Sequence, residues 1–590
     1  MFGKVLVANR GEIAIRVMRT LAELGIASVA VYSEPDRDAL HVRRADEAYL
    51  LGPGAPSQSY LAVEKIIDAA QRAGAEAIHP GYGFLAENAA FARACDEAGI
   101  VFIGPPADAI EAMGSKTRAR ELMKGAGVPI VPGTTDPVDT VEDAARVIDE
   151  AIGYPVAIKA SGGGGGKGFR VALEADELEK AFEGAAREGE KFFSDPTVYI
   201  ERYLPDPRHV EVQVLADSKG NVIHLGERDC SVQRRHQKLI EESPAPAVDD
   251  ALRERIGSIG TEAARAVGYR SAGTVEGLLA DGEYFFLEMN TRVQVEHCVT
   301  EMTTGIDIVR EQIRIAAGEK LSIAQEDVSL RGHAIECRIN AEDASKNFAP
   351  APGTIGGYRE PAGPGVRLDS GVESGSEVTP LYDPLIAKLI VWDVDRDSAT
   401  RRMIRALREF ELGGVRSLIP FHIALLDTDQ WARGETCRDL IEDRQWLKQF
   451  AEPKPEPAPE GEEEPQVERS YAVEVSGRRF DVKVVGAAPG VDGAAPAQAG
   501  ARRAPPRRRE RGGAGAGGGA PGTLVSPIQG TVLRVAVKQG AEVEEGALIV
   551  VIEAMKMENE ITAPAAGKVE ELNVTEGGSV STGDTIAVIK

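Results

Sequence analysis

The segment Glu288-Met-Asn-Thr-Arg-Val-Gln-Val-Glu296 carries a charged or amide side chain at every second position. Side chains alternate faces along a strand, so Glu288, Asn290, Arg292, Gln294 and Glu296 project together if the extended conformation persists, while Met289, Val293 and Val295 face the core. Such alternation most often marks a strand with one solvated side. A second observation weighs against that reading: Glu276 lies as many residues before Gly282 as Glu288 lies after it. A hairpin turning at Asp281-Gly282 through an odd-length loop sets the two carboxylates opposite each other. Adjacent like charges are costly unless a cation lies between them. Hard carboxylate oxygens suit Mg²⁺, which takes one or two carboxylates together with substrate phosphates.

A glycine run, Ser161-Gly-Gly-Gly-Gly-Gly-Lys-Gly168, contains G-x-G-x-x-G at Gly163, Gly165 and Gly168. A dinucleotide fingerprint requires a helix next, and Phe169-Arg-Val-Ala-Leu173 reads as a strand. A Walker A loop fails as well, with Ser161 at its first glycine and Gly168 at its Ser/Thr position. What remains is strand, glycine loop, strand: a flap whose backbone N–H groups can close over nucleotide phosphates. Lys159, on the incoming strand, would neutralise phosphate charge. A flexible loop without function is the competing reading.

A third feature is Lys556, in Glu553-Ala-Met-Lys-Met557. Sliding Gly530 onward by 37 positions aligns Gly530 with Gly567, Val532 with Val569, Gly540 with Gly577 and Val551 with Val588. This internal repeat predicts two related four-strand halves packed as a flattened β-sandwich of quasi-twofold symmetry. The connecting stretch, residues 553–563, becomes an exposed hairpin with Lys556 near its tip. There a modifying enzyme can reach the amine. A merely solvated lysine, the usual case, leaves the repeat, the flanking Met555 and Met557 and the upstream tether unexplained.

The elements that position these groups follow from composition. A chain of 590 residues, 43% hydrophobic and 27% charged, is ordinary globular protein too long for one core, so several domains are expected. The formal charge of −25 argues against sequence-independent nucleic-acid binding. Cys95, Cys230, Cys298, Cys337 and Cys437 form neither a CxxC pair nor a disulfide framework. No apolar run approaches the roughly 20 residues that cross a bilayer, and the chain opens on a strand-like KVLVAN. A soluble, cytoplasmic protein without a membrane or nucleic-acid partner is expected. Short apolar runs alternate with helical patterns to about Pro105, the βαβ signature of a doubly wound sheet. An α+β stretch follows. Residues 451–469 are rich in Pro and Glu, and residues 486–522 are almost all Ala, Gly, Pro and Arg, so both read as linkers. Between them residues 470–485 suggest a small hairpin turning at Ser476 and Gly477.

The segment around Lys556 resembles a biotinyl carrier domain, whose signature is A-M-K-M; the related lipoyl carriers usually show D-K-A, so biotin is favoured over lipoate. Residues 1–450 resemble biotin carboxylase, an ATP-grasp enzyme family. The resemblance is carried by ANRGEIA at Ala8 to Ala14, HPGYGFLAEN at His79 to Asn88, Cys230 to Lys238, Arg331 to Asn340 and the segments above. It implies an α/β and α+β architecture: an N-terminal doubly wound domain (1–114), an ATP-grasp domain with a glycine-rich lid (115–330), a biotin carboxylase C-terminal domain (331–450), a small β segment (470–485) and an all-β biotinyl carrier domain (523–590).

Carried over residue by residue, the resemblance implies that Lys116, Lys159, Gly165, Gly166, Glu201 to Leu204, His209, Gln233 and His236 hold ATP, with Glu276 and Glu288. Glu276, Glu288 and Asn290 would bind two Mg²⁺ or Mn²⁺ ions. Bicarbonate would sit by Lys238, Arg292, Gln294 and the Val295 backbone, with Glu296 as the base that removes its proton as it attacks the γ-phosphate to give carboxyphosphate. Arg338 would stabilise the biotin enolate, and biotin would be joined to Lys556 by a biotin protein ligase. The sequence contains no stretch long enough for a carboxyltransferase, which is expected on a separate subunit of an acetyl- or propionyl-CoA carboxylase, in an oligomer. One departure is Cys298, where the family usually has Pro; its surroundings do not suggest a reactive thiol. Another ATP-grasp ligase leaves the carrier domain unexplained, and a non-catalytic carrier leaves Glu276, Glu288, Asn290, Arg292, Glu296 and Arg338 unexplained.

Overall fold

The computed structural model describes residues 1–134, 136–160, 168–193, 195–235, 237–451, 466–475, 478–487, 523–526, 530–544, 546–554, 557–580 and 583–590. Five parallel strands begin the chain, in the spatial order Glu47–Gly52, Ala27–Ser33, Lys4–Val7, Ala77–His79, Val101–Phe102. A parallel sheet is covered on both faces, which is why KVLV and ASVAVYS are nearly unbroken apolar runs. Helix Gly11–Glu23 packs on one face and helices Val63–Ala73 and Ala89–Glu97 on the other. The strand order reverses between Lys4–Val7 and Ala77–His79. Segments 8–14 and 79–88 leave these two strands at the switch point, where α/β sheets open a crevice for ligands.

In the second region, strand Val156–Ala160 pairs antiparallel with Phe169–Ala172 and with Val198–Arg202, and helix Leu178–Phe193 lies against this sheet. The glycine run thus joins two strands, as its sequence implies; residues 161–167 themselves lie outside the described residues.

Eight antiparallel strands form the central sheet, in the order Glu283–Asn290, Ser271–Ala280, Arg208–Ala216, Val222–Arg234, Gln237–Ser243, His333–Asn340, Leu385–Asp393, Val366–Ser370. It continues across residue 330, because Gln237–Ser243 pairs with His333–Asn340. Two cores lie along it. One is built with helix Asp250–Ala266, and the other with helices Arg396–Glu409 and Ile419–Leu426.

Two details of the hairpin differ from the sequence reading. Ala280 pairs with Glu283, so the loop is the even pair Asp281-Gly282, both at positive φ (51° and 76°), as a type I′ turn requires. A bulge at Leu287 then shifts the register by one, and Glu276 faces Glu288 after all. The extended conformation stops at Asn290 rather than running to Glu296. Residues 291–296 form a loop, and Glu296 immediately precedes helix His297–Thr304.

Near the end of the chain, strands Gly530–Val535, Glu542–Val543 and Leu548–Ala554 recur 37 residues later as Gly567–Leu572, Ser579–Val580 and Thr585–Ile589. Each of two four-stranded sheets takes strands from both halves, and the repeat maps one sheet order onto the other. Val532, Ile549, Val550, Ile552, Val569, Ile586 and Ala587 fill the space between them. Met555 and Lys556 lie outside the described residues. In a separate unit, residues 452–521, strands Gln466–Val475 and Arg478–Ala487 pair as a hairpin somewhat longer than the expected 470–485. Among the described residues no helix is long and apolar enough to cross a membrane.

Gly371 marks a close approach between the C-terminal domain and the first helix. A Cβ there would lie 2.5 Å from the Glu12 amide nitrogen and 2.8 Å from the Gly11 carbonyl carbon. Backbone atoms cannot swing aside, so Gly371→Ala is expected to destabilise the chain by about 1–3 kcal/mol. A thermal melt checks this; an unchanged midpoint would show that the contact yields freely.

Candidate functional site

The central sheet gathers three carboxylates around one ammonium. Glu211 and Glu276 are register partners on adjacent strands, Lys238 reaches them from Gln237–Ser243, and Glu296 enters from the loop before helix His297–Thr304. Lys238 Nζ lies 2.5 Å from Glu211 Oε2, 3.0 Å from Glu276 Oε1 and 2.5 Å from Glu296 Oε1. All three carboxylates are buried, Glu211 and Glu296 completely. Each also has a cation on its other oxygen: Arg228 Nε on Glu211 at 2.6 Å, His209 Nε2 on Glu276 at 2.8 Å, and Arg338 Nη2 on Glu296 at 2.9 Å. Arg338 binds Glu241 as well, at 2.5 Å.

These pairings decide the charge states. Burial alone pushes the Glu296 carboxyl up, but Lys238, Arg338 and Arg228 outweigh it and hold the group well below the ordinary carboxylate range. Glu276 is held down in the same way, burial being outweighed by Lys238 and His209. His209 is raised, the Glu276 carboxylate overcoming its burial. Farther from this centre, burial lifts Glu241 to about 7 despite Arg338.

The 291–296 loop is tied at both ends. Arg292 Nε donates to Glu87 Oε2 at 2.9 Å, while Glu87 Oε1 accepts from the Thr291 amide at 3.0 Å. Arg292 also donates to Gln294 Oε1 at 2.6 Å and Asn290 Oδ1 at 3.1 Å. Gln294 Nε2 donates to Glu276 Oε1 at 2.8 Å, joining the loop to the carboxylate cluster. The Val295 carbonyl accepts from Lys388 Nζ at 2.9 Å.

His209, Lys238, Glu276, Arg292, Gln294, Glu296 and Arg338 therefore form one connected network. Glu288 is half-buried on the register position opposite Glu276. Its oxygens, those of Glu276 and the amide oxygen of Asn290 are the hard donors that Mg²⁺ takes. The residues fit such an ion. Gln233 lies across from Lys238 on the neighbouring strand. Lys159 and Arg120 both bind Glu201, the latter at 2.7 Å, on the three-stranded sheet. Leu204 packs with Val131 and Phe285. Lys116 begins helix Lys116–Gly125, capped by the Ser115 side chain; the Lys116 side chain, Gly165, Gly166, His236 and Lys556 are outside what is described.

Glu87, Glu211, Arg228, Glu241 and Lys388 were not singled out from sequence. Glu211 and Gln213 alternate with valines in RHVEVQVLA, the pattern of a half-solvated strand. Only the assembled sheet shows that this polar side faces inward. Glu87 lies within HPGYGFLAEN, and membership of that segment was its available signal.

Comparisons with known proteins agree with this architecture. Residues 1–110 match the biotin carboxylase N-terminal domain, 115–324 the ATP-binding domain of carbamoyl-phosphate synthase L chain, 336–443 the biotin carboxylase C-terminal domain and 520–589 the biotin-requiring enzyme domain. The biotin-dependent acyl-coenzyme A carboxylase alpha3 subunit of Mycobacterium leprae is 46% identical over 592 aligned residues, covering 100% of this chain and 98% of the relative. A pyruvate carboxylase subunit of Methanothermobacter thermautotrophicus is 57% identical, over 75% of this chain and 90% of that one. The biotin carboxylase domain dimer of Hydrogenobacter thermophilus 2-oxoglutarate carboxylase, solved with MgADP, ADP and bicarbonate, superposes with a TM-score of 0.70 at 51% identity, covering 77% of this chain and 100% of that one. The chain belongs to the biotin carboxylase family and carries a biotinyl carrier domain on the same polypeptide, in the arrangement of a biotin-dependent acyl-CoA carboxylase alpha subunit.

Proposed function

We propose that this biotin carboxylase charges the biotin on its own Lys556 and supplies it to a separate carboxyltransferase subunit whose acceptor is acetyl-CoA, propionyl-CoA or both. The observation that carries the site assignment is the Lys238 ammonium lying between Glu296 and Glu276.

Bicarbonate is an anion and a poor nucleophile. Lys238 and Arg292 supply the charge to hold it, with Gln294 and the Val295 backbone fixing its orientation. Glu296 is a weak base while Lys238 and Arg338 both bind it. An anion that shares Lys238 loosens that grip and raises the basicity of Glu296 when there is a proton to remove. A bicarbonate oxygen then bonds to the γ-phosphorus of ATP, the bond from that phosphorus to the bridging oxygen breaks, ADP leaves and the proton passes to Glu296. The products are carboxyphosphate and ADP.

Lys116, Lys159, Gly165, Gly166, Glu201, Leu204, His209, Gln233 and His236 form the ATP site in this reading. Glu276, Glu288 and Asn290 would hold two Mg²⁺ or Mn²⁺ ions, which would neutralise developing phosphate charge. A biotin carried on Lys556 would supply the nucleophilic ureido nitrogen for carboxyl transfer. Arg338 keeps its positive charge at any working pH and lies beside Glu296, where it can face the entering biotin ring.

The choice of acyl-CoA over a 2-oxo acid rests on the alpha3-subunit relative, which aligns with the carrier and its connecting segments as well as the catalytic domains; the pyruvate carboxylase relative aligns with 75% of the chain. The doubly wound and carboxylase domains, residues 1–114, 115–330 and 331–450, do the chemistry, and 523–590 travel between sites.

Glu296→Gln should still bind ATP but lose bicarbonate-dependent turnover by a factor of about 10² or more. Steady-state kinetics with free biotin decides it, and turnover at the wild-type rate would remove Glu296 from the mechanism. Lys556→Arg keeps the charge and bulk but cannot form the amide to biotin. Intact mass after co-expression with a biotin ligase should show one biotinyl group on wild type and none on the variant, while ATP hydrolysis with free biotin persists. Biotin appearing on Lys538 or Lys568 would refute the placement. Once a carboxyltransferase is supplied, an acyl-CoA panel should give malonyl- or methylmalonyl-CoA; carboxylation of pyruvate alone would overturn the acceptor assignment.

A further inference from the structure

Lys388 is completely buried in the strand Leu385–Asp393, directly across from Arg338 on the adjacent strand and hence on the same face of the sheet. Its Nζ donates to the Val295 carbonyl at 2.9 Å and lies 3.3 Å from Glu12 Oε1 and 3.9 Å from Asp369 Oδ2. Glu12 in turn accepts from the Tyr82 hydroxyl, and the Tyr82 ring lies 5.9 Å from the ammonium. Glu12 and Tyr82 belong to segments 8–14 and 79–88 at the switch point of the N-terminal sheet. A buried ammonium is expensive unless paired. This one is held where elements from both ends of the carboxylase region meet a single peptide.

The peptide before it is pinned too. His297 Nδ1 lies 2.7 Å from the Gln294 carbonyl, so the two consecutive carbonyls that flank Val295 each have a buried partner. In a trans peptide the N–H points opposite to the C=O. Fixing the Gln294 carbonyl therefore orients the Val295 N–H, and fixing the Val295 carbonyl orients the peptide that delivers Glu296.

We infer that Lys388, held by Glu12 and Tyr82, is a positioning residue for bicarbonate: it sets the peptide plane between Val295 and Glu296, and so the placement of the anion relative to its base. The inference rests on reading Arg292, Gln294, Val295 and Glu296 as the bicarbonate site. It makes the N-terminal domain, which supplies none of those residues, part of what determines affinity for the smaller substrate.

Lys388→Met removes the donor but leaves Glu12 buried beside an apolar chain, which can prevent folding. Glu12→Gln/Lys388→Met removes both charges and keeps the test available. In bicarbonate-dependent ATP hydrolysis by the full chain with free biotin, loss of one hydrogen bond to the loop should raise the KM for bicarbonate about tenfold and leave the KM for ATP within about twofold. A wild-type KM for bicarbonate in a folded variant overturns the inference. Equal rises in both KM values, or a fall in kcat alone, assign Lys388 to interface folding and overturn it as well. Glu296→Gln, run in parallel, separates the two levels: if it retains turnover, the bicarbonate-site reading has failed; if it is inactive while the Lys388 variants are normal, only the positioning role has failed.

Discussion

Glu211, Glu276 and Glu296 converge on the Lys238 ammonium in a site that water scarcely reaches. Three carboxylates so placed repel each other strongly, and the fold holds them only because each has a second cation on its far oxygen. Removing one partner from such a set typically costs about 3–5 kcal/mol through the charge left uncompensated. The arrangement constrains much of the region between residues 208 and 340. Glu211 and Glu276 must be in register, the strand bearing Lys238 must lie two places along the same sheet, and the chain must leave extended geometry after Asn290 so that Glu296 returns to Lys238. Arg338 extends the requirement into the C-terminal domain, which explains a sheet continuous across both regions.

A second set of buried charges serves the joints between regions. Arg16, on the first helix, binds Glu301 and Asp307, both at 2.8 Å, and Glu301 also takes Arg367 at 2.7 Å. Arg367 bonds to Asp369 at 2.7 Å. Cys298 sits among these groups, fully buried and 3.3 Å from Asp369, and burial pushes its thiol well above the usual range. Cys298 thus donates a hydrogen bond at the start of helix His297–Thr304 without being a thiolate. The carboxylate cluster around Lys238 and the interdomain network are separated by only a few residues of this helix.

Sequence alone made the polar alternation of 288–296, the opposed Glu276 and Glu288 and the 37-residue repeat legible, because each depends on local periodicity or on spacing around a turn. What periodicity could not supply was the end of the strand. Thr291 and Arg292 are drawn off by Glu87, more than 200 residues earlier, and no local preference at these positions announces that contact. Spacing alone implied an odd-length loop between the two carboxylates; the loop has two residues, and the bulge at Leu287 restores the pairing. Arg228 and Glu241 lie in short charged runs and Lys388 is a single lysine in an apolar strand, none of them a pattern that signals a site, and Glu211 was hidden by its alternation with valines. A polar residue on an alternating strand reads as solvent-facing, and only tertiary pairing of opposite charges makes an inward orientation affordable. Roles for the individual site residues came from family resemblance rather than from spacing, apart from the Glu276 and Glu288 pair, read as cation ligands, and Lys159, read as a partner for phosphate.

Charge placement also orders events at the site. In the proposed mechanism, a base held ionised by Lys238 and Arg338 is protected from idle protonation, and its basicity recovers as an anion competes for the same cations. In the same proposed mechanism a bicarbonate oxygen, activated at Glu296, attacks the γ-phosphorus of ATP. Turnover of the biotinylated chain in ¹⁸O-labelled bicarbonate, with mass analysis of the phosphate released, tests this step. Attack by bicarbonate leaves its oxygen on phosphorus, so inorganic phosphate should carry one atom of label per turnover. Unlabelled phosphate accompanying carboxylated biotin would rule that attack out.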